Sequence, residues 1–235
     1  ELEKNTYTGF YTTVTNFSSD LMGFDNLQAG ALRPWEGTGS YYEEPHLASF
    51  LGRVNYTYDD RYVLTVNART DASSKFGANH KWGFFPSVSA AWNVSNEQFM
   101  KQITWIDNLK LRLGYGLAGN QGGIDSYTTM NLVRPNGVAP VGNSPVVTYE
   151  TLRNINPDLK WEVKHTFNAG FDVGFYGNRL LLSVNYYNSK TTDMLYNYRV
   201  SVPPFTYNTL LANIGSMRNS GTEISVGITP LKTKD

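Results

Sequence analysis

The chain has 235 residues, of which only 17% are charged and 14% are aromatic, whereas soluble domains usually carry about 25% charged residues. Its 20 basic and 20 acidic residues balance, so no net field favours binding to nucleic acid. There is no cysteine, which excludes disulfide bonds and thiolate metal sites, and no apolar run reaches the ~20 residues of a membrane-spanning helix.

Residues 1–45 hold no sustained hydrophobic period and are rich in Tyr, Asn, Gly and Ser, which predicts a long loop with one short strand near residues 10–15. Loops beyond about 12–15 residues tend to be functional or disordered. Because this one carries Trp35, Tyr41 and Tyr42, we predict a functional loop.

Residues 50–69 give the clearest hairpin signal, because apolar and polar positions alternate on both sides of a polar turn at 59–61. The apolar set is Phe50, Val54, Tyr56, Tyr58, Tyr62, Leu64, Val66 and Ala68, and the opposite set includes Arg53, Asn55, Asn67 and Arg69. This pattern predicts two antiparallel strands with one apolar and one polar face.

Further alternating runs follow along the chain and bring the predicted strands to seven. A loop at 71–85 precedes a strand ending near Val94, and a helical connector is predicted at 96–105 with Ser95 as its cap. Strands are then predicted at 109–117, 166–175, 180–187 and 223–229. The connections are long loops at 118–157 and 189–212 and a tight turn at 176–179.

Short turns alternating with long aromatic loops are typical of an up-and-down antiparallel transmembrane β-barrel. A charged side chain on the lipid face near mid-bilayer costs roughly 2–4 kcal/mol, so charged members of the alternating runs should face the lumen. The residues predicted to face the lumen are Arg53, Asn67, Lys110, Arg112 and Asp172. A soluble β-sandwich, with the apolar faces packed inward, gives a similar pattern and remains the alternative.

Several segments, in order, resemble the SusC/RagA type of TonB-dependent outer-membrane transporter. Residues 50–62 (FLGRVNYTYDDRY) resemble the family's GRVNYxYDDRY hairpin, and residues 69–77 (RTDASSKFG) its RxDGSSRFG segment. Further segments that fit are 82–92 (WGFFPSVSAAW), 109–121 (LKLRLGYGLAGNQ), 156–162 (NPDLKWE), 193–195 (DML) and 213–224 (NIGSMRNSGTEI). Ala72 stands where glycine is usual, and Ala118 is a second small departure.

The resemblance implies a 22-stranded barrel with an N-terminal plug, energised through TonB and working with a SusD-like surface lipoprotein. We find no plug, TonB box or closing C-terminal strand in residues 1–235. Seven or eight strands leave open edges that lipid would not tolerate, so we expect one part of a larger barrel domain.

The sequence gives no support for an enzyme, a cofactor or a metal site. His46, His80 and His165 are far apart and lack ligand spacing. Residues 119–123 (GNQGG) resemble a phosphate-binding loop only loosely, because no Lys-Ser/Thr pair follows.

The expected function is active import of an oligomeric nutrient, with a glycan favoured over a peptide. A passive porin or structural barrel is a second hypothesis, and a soluble binding module a third. The candidate substrate-binding residues are aromatic groups that would stack on sugars or hold a peptide, and polar groups that would hydrogen-bond it: Trp35, Tyr41, Tyr42, Trp82, Tyr127, Arg69, Asp71, Asn120 and Gln121. Alternatively, the aromatic residues only pack the loops together or against the lipoprotein.

Overall fold

The computed structural model describes residues 1–19, 21, 23–32 and 37–230. Its strands are β1 (Leu2–Lys4), β2 (Tyr7–Thr12), β3 (Thr15–Phe17), β4 (Gly30–Leu32), β5 (Thr38–Glu43), β6 (His46–Tyr58), β7 (Tyr62–Ser73), β8 (Trp82–Asn93), β9 (Ile106–Asn120), β10 (Val133–Val141), β11 (Ser144–Thr151), β12 (Glu162–Phe175), β13 (Leu180–Arg199) and β14 (Thr209–Ile228). A 3-10 segment spans Gly23–Ala29. No helix among these described residues is long and apolar enough to cross a membrane.

One eight-stranded sheet dominates the structure, in the order β1-β6-β7-β8-β9-β12-β13-β14. Every neighbouring pair is antiparallel. The seven predicted strands correspond to its seven long members, so the prediction of an all-β antiparallel fold is confirmed. The tight turns after β6 and β12 lie at one end, here called the turn end, and the long connections lie at the loop end.

Several predicted loops contain more strand than expected. The predicted loop at 189–212 is wrong in extent, since β13 continues to Arg199 and β14 starts at Thr209. The predicted loop at 118–157 contains the hairpin β10–β11, and residues 1–45 contain the pairs β2–β5 and β3–β4. Main-chain hydrogen bonds hold these strands together without an alternating side-chain pattern, which is why periodicity missed them.

The connector after β8 also differs from its prediction. It consists of two 3-10 turns, Val94–Asn96 and Gln98–Gln102, and Ser95 lies inside the first turn instead of capping a helix. Neither turn has a side-chain cap. The side chain of Glu97 instead accepts hydrogen bonds from the Tyr62 hydroxyl at 2.8 Å and from Trp92 Nε1 at 3.1 Å, which ties the connector to β7 and β8.

The register gives the main sheet one apolar and one polar face. One cross-strand row of the apolar face contains Tyr56, Leu64, Ala90, Leu113, Ala169 and Tyr186, and one row of the polar face contains Arg53, Asn67, Ser87, Gly116, Thr166 and Ser189. Val54 and Ile224 on the apolar face are 67% and 66% exposed. Nothing in the described ranges covers this face, unlike the inner face of a soluble sandwich.

The buried core lies at the loop end and consists of Phe76, Phe85, Ile124, Leu159 and Trp161. The rings of Phe76 and Trp161 are 4.7 Å apart between centroids, and Phe85 meets Trp161 edge-on at 5.5 Å. Three of the segments that carry the sequence resemblance supply four of these residues: 69–77, 82–92 and 156–162. These motifs therefore supply most of the buried core on which the loops pack.

Candidate functional site

Hydrogen bonds connect the polar face across neighbouring strands. Arg53 Nε donates to Asn67 Oδ1 at 2.6 Å, and Asn67 Nδ2 donates to Ser87 Oγ at 2.9 Å. Nearer the turn end, Arg112 forms an ion pair with Asp172 at 2.8 Å. Four of the five residues predicted to face the lumen thus lie in two networks on one face.

The fifth, Lys110, is the direct cross-strand neighbour of Asp172 and shares its face. Asp172 also accepts a hydrogen bond from Ser183 Oγ at 2.7 Å. A depression of about 350 Å³ lies beside this network, and its lining includes Ser89, Arg112, Gly114, Asn168, Gly170 and Asn185. Because glycine and serine have small side chains, the guanidinium and amide groups of this depression stay accessible to a ligand on the polar face.

Arg69 and Asp71 lie on the same face toward the loop end, where they bind each other. Arg69 Nε donates to both carboxylate oxygens of Asp71, at 3.0 and 2.8 Å, and Arg69 also reaches Ser49 Oγ at 3.3 Å. Asp71 is only 6% exposed. The pair therefore joins β6 and β7, and its hydrogen-bonding capacity is largely used within the protein.

A polar hollow of about 270 Å³ opens at the loop end, and we call it the loop-end cleft. Its lining is Glu3, Asn5, Tyr7, Glu43, Pro45, His46, Leu47, Ser73, Lys75, Gln121, Asp125 and Ser126. Lys75 Nζ donates to the Ile124 carbonyl at 2.8 Å, which fixes the loop that carries Gln121. Gln121 Oε1 is buried and has no hydrogen bond to any described residue. The cleft therefore offers carboxylates, amides and a tyrosine to a polar ligand.

Glu44 organises the wall beside this cleft. Its carboxylate accepts a hydrogen bond from the Tyr42 hydroxyl and pairs with Lys4 Nζ and His46 Nε2, each at 3.0 Å. Its backbone N–H donates to the Tyr127 hydroxyl at 2.9 Å. The hydrogen bonds from Tyr42, Lys4 and His46 lower the pKa of Glu44 to about 2. An ionised Glu44 thus holds β1, β5 and β6 together at neutral pH.

The structure brings only some of the candidate binding residues together. Tyr42 and Tyr127 meet at Glu44, and Gln121 lines the cleft. Asn120 Nδ2 donates to Glu162 Oε2 at 2.7 Å, and its Oδ1 accepts from the Gly122 N–H at 2.9 Å, so this side chain holds the loop.

Two of the remaining aromatic candidates, Tyr41 and Trp82, lie apart from the cleft lining. Tyr41 packs over Gly9 on the neighbouring strand β2. Trp82 lies on the apolar face, stacked on Phe50 with centroids 6.2 Å apart, which is the position of an interfacial anchor. Trp35 lies outside the described residues.

Sequence reasoning missed Glu44, Lys75 and Glu162, which fix the surroundings of the cleft. Two of them have partners that are distant in the chain: Lys75 binds Ile124, and Glu162 binds Asn120 and the Leu195 N–H. No local spacing could have revealed these contacts. Across the described residues, no group of three or more His, Cys, Asp or Glu side chains is placed to hold a metal ion.

Residues 2–231 match the protein family described as TonB dependent receptor-like, beta-barrel. Similar proteins include TonB-dependent receptor P26 of Formosa agariphila, 38% identical over 224 residues, and TonB-dependent receptor SusC of Bacteroides thetaiotaomicron, 35% identical over 220 residues. These matches cover 92% and 85% of this chain, but only 21% and 22% of those proteins. The chain thus spans about a fifth of the length of these curated relatives.

Solved structures also resemble this chain. The RagAB peptide importer in its open-open state matches with a TM-score of 0.81 at 29% identity, over 100% of this chain and 25% of that one. The siderophore receptor PirA from Acinetobacter baumannii matches with a TM-score of 0.54 at 16% identity, over 97% of this chain and 34% of that one, and shares the fold. The resemblance first seen in the sequence motifs is confirmed.

Proposed function

This chain belongs to the TonB-dependent receptor-like β-barrel family, and on that premise we propose that it forms part of the wall of an outer-membrane importer for an oligomeric nutrient. Receptors of this family are outer-membrane transporters and not enzymes. The long strands of the sheet therefore cross that membrane, with the apolar face toward lipid and the polar face toward the barrel interior.

The open edges of the sheet support a longer barrel as the functional unit. Among the described strands, β1 and β14 each have a neighbour on one side only. Unpaired strand edges are not stable in a hydrocarbon environment, so further strands should close the wall. The partners of that barrel would be TonB on the periplasmic side and a SusD-like lipoprotein over the loop end.

The loop-end cleft is the observation that carries the substrate proposal. It joins the acceptor-rich side chains of Glu3, Glu43, Asp125 and Gln121 to the exposed ring of Tyr7. Sugars present many hydroxyl donors and apolar ring faces, which such a lining can bind. We therefore favour an oligosaccharide as substrate. An oligopeptide is the rival, supported by the similarity to the RagAB peptide importer.

Uptake by cells tests both the substrate class and the energy source. Cells producing the receptor that contains this segment are given fluorescent oligosaccharides or fluorescent peptides. The change Tyr7→Ala should reduce oligosaccharide binding roughly tenfold, since an aromatic anchor in a binding site commonly contributes this much. Tyr149→Ala is the matched control, because Tyr149 is an exposed tyrosine on β11 outside the cleft lining.

Three outcomes would contradict parts of the proposal. Saturable uptake of peptides alone would replace the sugar with a peptide. Equal losses with Tyr7→Ala and Tyr149→Ala would remove the cleft from substrate binding. Uptake that persists after the proton-motive force is collapsed would indicate a passive porin.

A further inference from the structure

Three basic residues form a row across adjacent strands, near the loop end of β12 and midway along β13 and β14. His165 on β12 is the direct cross-strand neighbour of Lys190 on β13, and Lys190 is the direct neighbour of Arg218 on β14. Directly opposite side chains have Cβ atoms about 4.5–5.5 Å apart. We call His165, Lys190 and Arg218 the basic row.

The basic row lies on the apolar face and not in the lumen. His165 has the same parity along β12 as Phe167 and Phe171, and Arg218 the same parity along β14 as Ile224. Successive side chains of a strand point to opposite faces, so the row shares its face with these apolar groups. Next to it, the Tyr115 hydroxyl lies 3.0 Å from His165 Nδ1.

The distance of the row from the turn end, measured along the barrel axis, places it at the edge of the lipid layer. His165 is ten residues from Phe175 at the turn end of β12. Ten residues of a strand tilted by 35–45° rise about 25 Å, which is roughly the height of the apolar band of an outer-membrane barrel. A Lys or Arg costs about 2–4 kcal/mol at the bilayer midplane and close to zero at the interface. The row therefore lies where the outer-leaflet headgroups begin.

Within the described part of the chain, no acidic side chain forms an ion pair with the basic row, whereas Arg61, Arg69, Arg112 and Arg134 all have carboxylate partners. Arg218 Nε donates to the amide oxygen of Asn188, at 3.1 Å. Cations directly opposite each other repel, and no carboxylate of the described residues pairs with the row to offset this repulsion.

A depression of about 400 Å³ lies at the row, lined by Tyr115, His165, Phe167, Asn188, Lys190, Ser216, Met217 and Arg218. Its walls combine cations and hydrogen-bond donors with the apolar surface of Phe167. This combination suits a ligand that carries an anion beside hydrocarbon, such as a membrane lipid.

We propose that the basic row binds a phosphate group of an outer-leaflet glycolipid of the lipid A type. Lys190 and Arg218 supply the positive charge, and the Tyr115–His165 pair supplies further hydrogen bonding. Phe167 and the apolar residues toward the turn end contact the acyl chains. A free phosphate would leave this apolar surface unused, which favours the lipid as the source of the anion.

Native mass spectrometry of the purified receptor in detergent tests this site. The probes are monophosphorylated lipid A, its dephosphorylated form and inorganic phosphate. The double variant Lys190→Gln/Arg218→Gln should bind monophosphorylated lipid A at least about tenfold more weakly, because two charge-assisted hydrogen bonds are lost. Lys164→Gln is the matched control, since Lys164 precedes His165 on β12 and points to the opposite face. It should bind as the wild type does.

The variant Lys190→Arg/Arg218→Lys keeps the charge and should restore binding, which separates loss of charge from misfolding. Equal affinity of the wild type and the double glutamine variant for monophosphorylated lipid A would overturn the proposal. Equal binding of the phosphorylated and dephosphorylated forms would also overturn it. If inorganic phosphate binds as tightly as the lipid, the row is a general anion site and the lipid assignment is wrong.

Discussion

At the turn end, the carboxylate of Glu97 links the connector after β8 to the neighbouring strands by hydrogen bonds. It is 9% exposed and accepts hydrogen bonds from Tyr62, Trp92 and Arg61 Nη1, the last at 3.2 Å. The Tyr62 and Trp92 rings that flank it are stacked 6.1 Å apart. The hydrogen bond from Tyr62, followed by that from Trp92, lowers the pKa of Glu97 below its usual 4.5.

The lowered pKa of Glu97 predicts a pH-dependent contribution to stability. The ionised form is favoured in the folded state, so its contribution is complete above pH 4.5 and is lost as pH falls through the lowered pKa. We expect Glu97→Gln to lower the unfolding temperature of the receptor at pH 7. The difference from the wild type should narrow at about pH 3.

Thermal unfolding in detergent at both pH values measures this difference. Glu223→Gln is the control, because Glu223 is an exposed residue of β14 whose carboxylate forms no hydrogen bond or ion pair with the described residues. A difference between Glu97→Gln and the wild type that stays constant from pH 7 to pH 3 would show that Glu97 acts through packing and not through its charge.

At the scale of elements, two connecting segments pack directly against each other at the loop end. The segment after β7 supplies Phe76, which is 1% exposed, and the segment before β12 supplies Trp161. Trp161 Nε1 also donates to the Lys81 carbonyl at 3.0 Å. At Gly77 the two segments touch so closely that a Cβ would stand 1.8 Å from the Pro157 carbonyl oxygen.

The change Gly77→Ala should therefore destabilise the loop end. The obstacle is backbone, so the segments must separate, and overpacking of this kind costs about 1–3 kcal/mol. Gly52→Ala is the matched control, because a Cβ on Gly52 would meet no atom within 4 Å. Gly77→Ala should unfold at a lower temperature and be cleaved faster by protease in the loops, while Gly52→Ala should behave as the wild type. Equal behaviour of the two variants would contradict the close contact.

At the scale of the whole molecule, the two ends of the sheet differ in construction. The turn end has the three-residue turn 59–61, the four-residue turn 176–179 and the connector 94–105. The loop end carries the hairpin β10–β11, the small strand pairs of the first 45 residues and the buried core. In outer-membrane barrels the short turns face the periplasm and the long loops face the outside.

Epitope tags test this orientation. Gly142, at the tip of β10–β11, and Gly177, in the turn after β12, are both exposed glycines with positive φ, +62° and +68°. A tag inserted at Gly142 should bind antibody on intact cells. A tag at Gly177 should bind only after the outer membrane is permeabilised. The reverse result would invert the topology and place the cleft and the basic row on the periplasmic side.

Sequence patterns alone were enough to predict the long strands of the main sheet and the family. The alternation through residues 50–69 and 109–117 identified strands and their two faces, because a strand exposes successive side chains to opposite sides. The order of the motifs then identified the family. Strand ends beyond that alternation were missed, as in β13, because pairing of the main chain needs no side-chain pattern.

The contacts between side chains could not be predicted from the sequence and are visible in the folded chain. In the structure, Gln121 lines a cleft together with Glu3 and Lys75, and Trp82 lies on the apolar face. His165, Lys190 and Arg218 are aligned across three neighbouring strands. These residues are separated by tens of positions in the chain. Their proximity depends on strand register and loop path, which arise from hydrogen bonding and packing across the whole sheet and are absent from any local stretch of sequence.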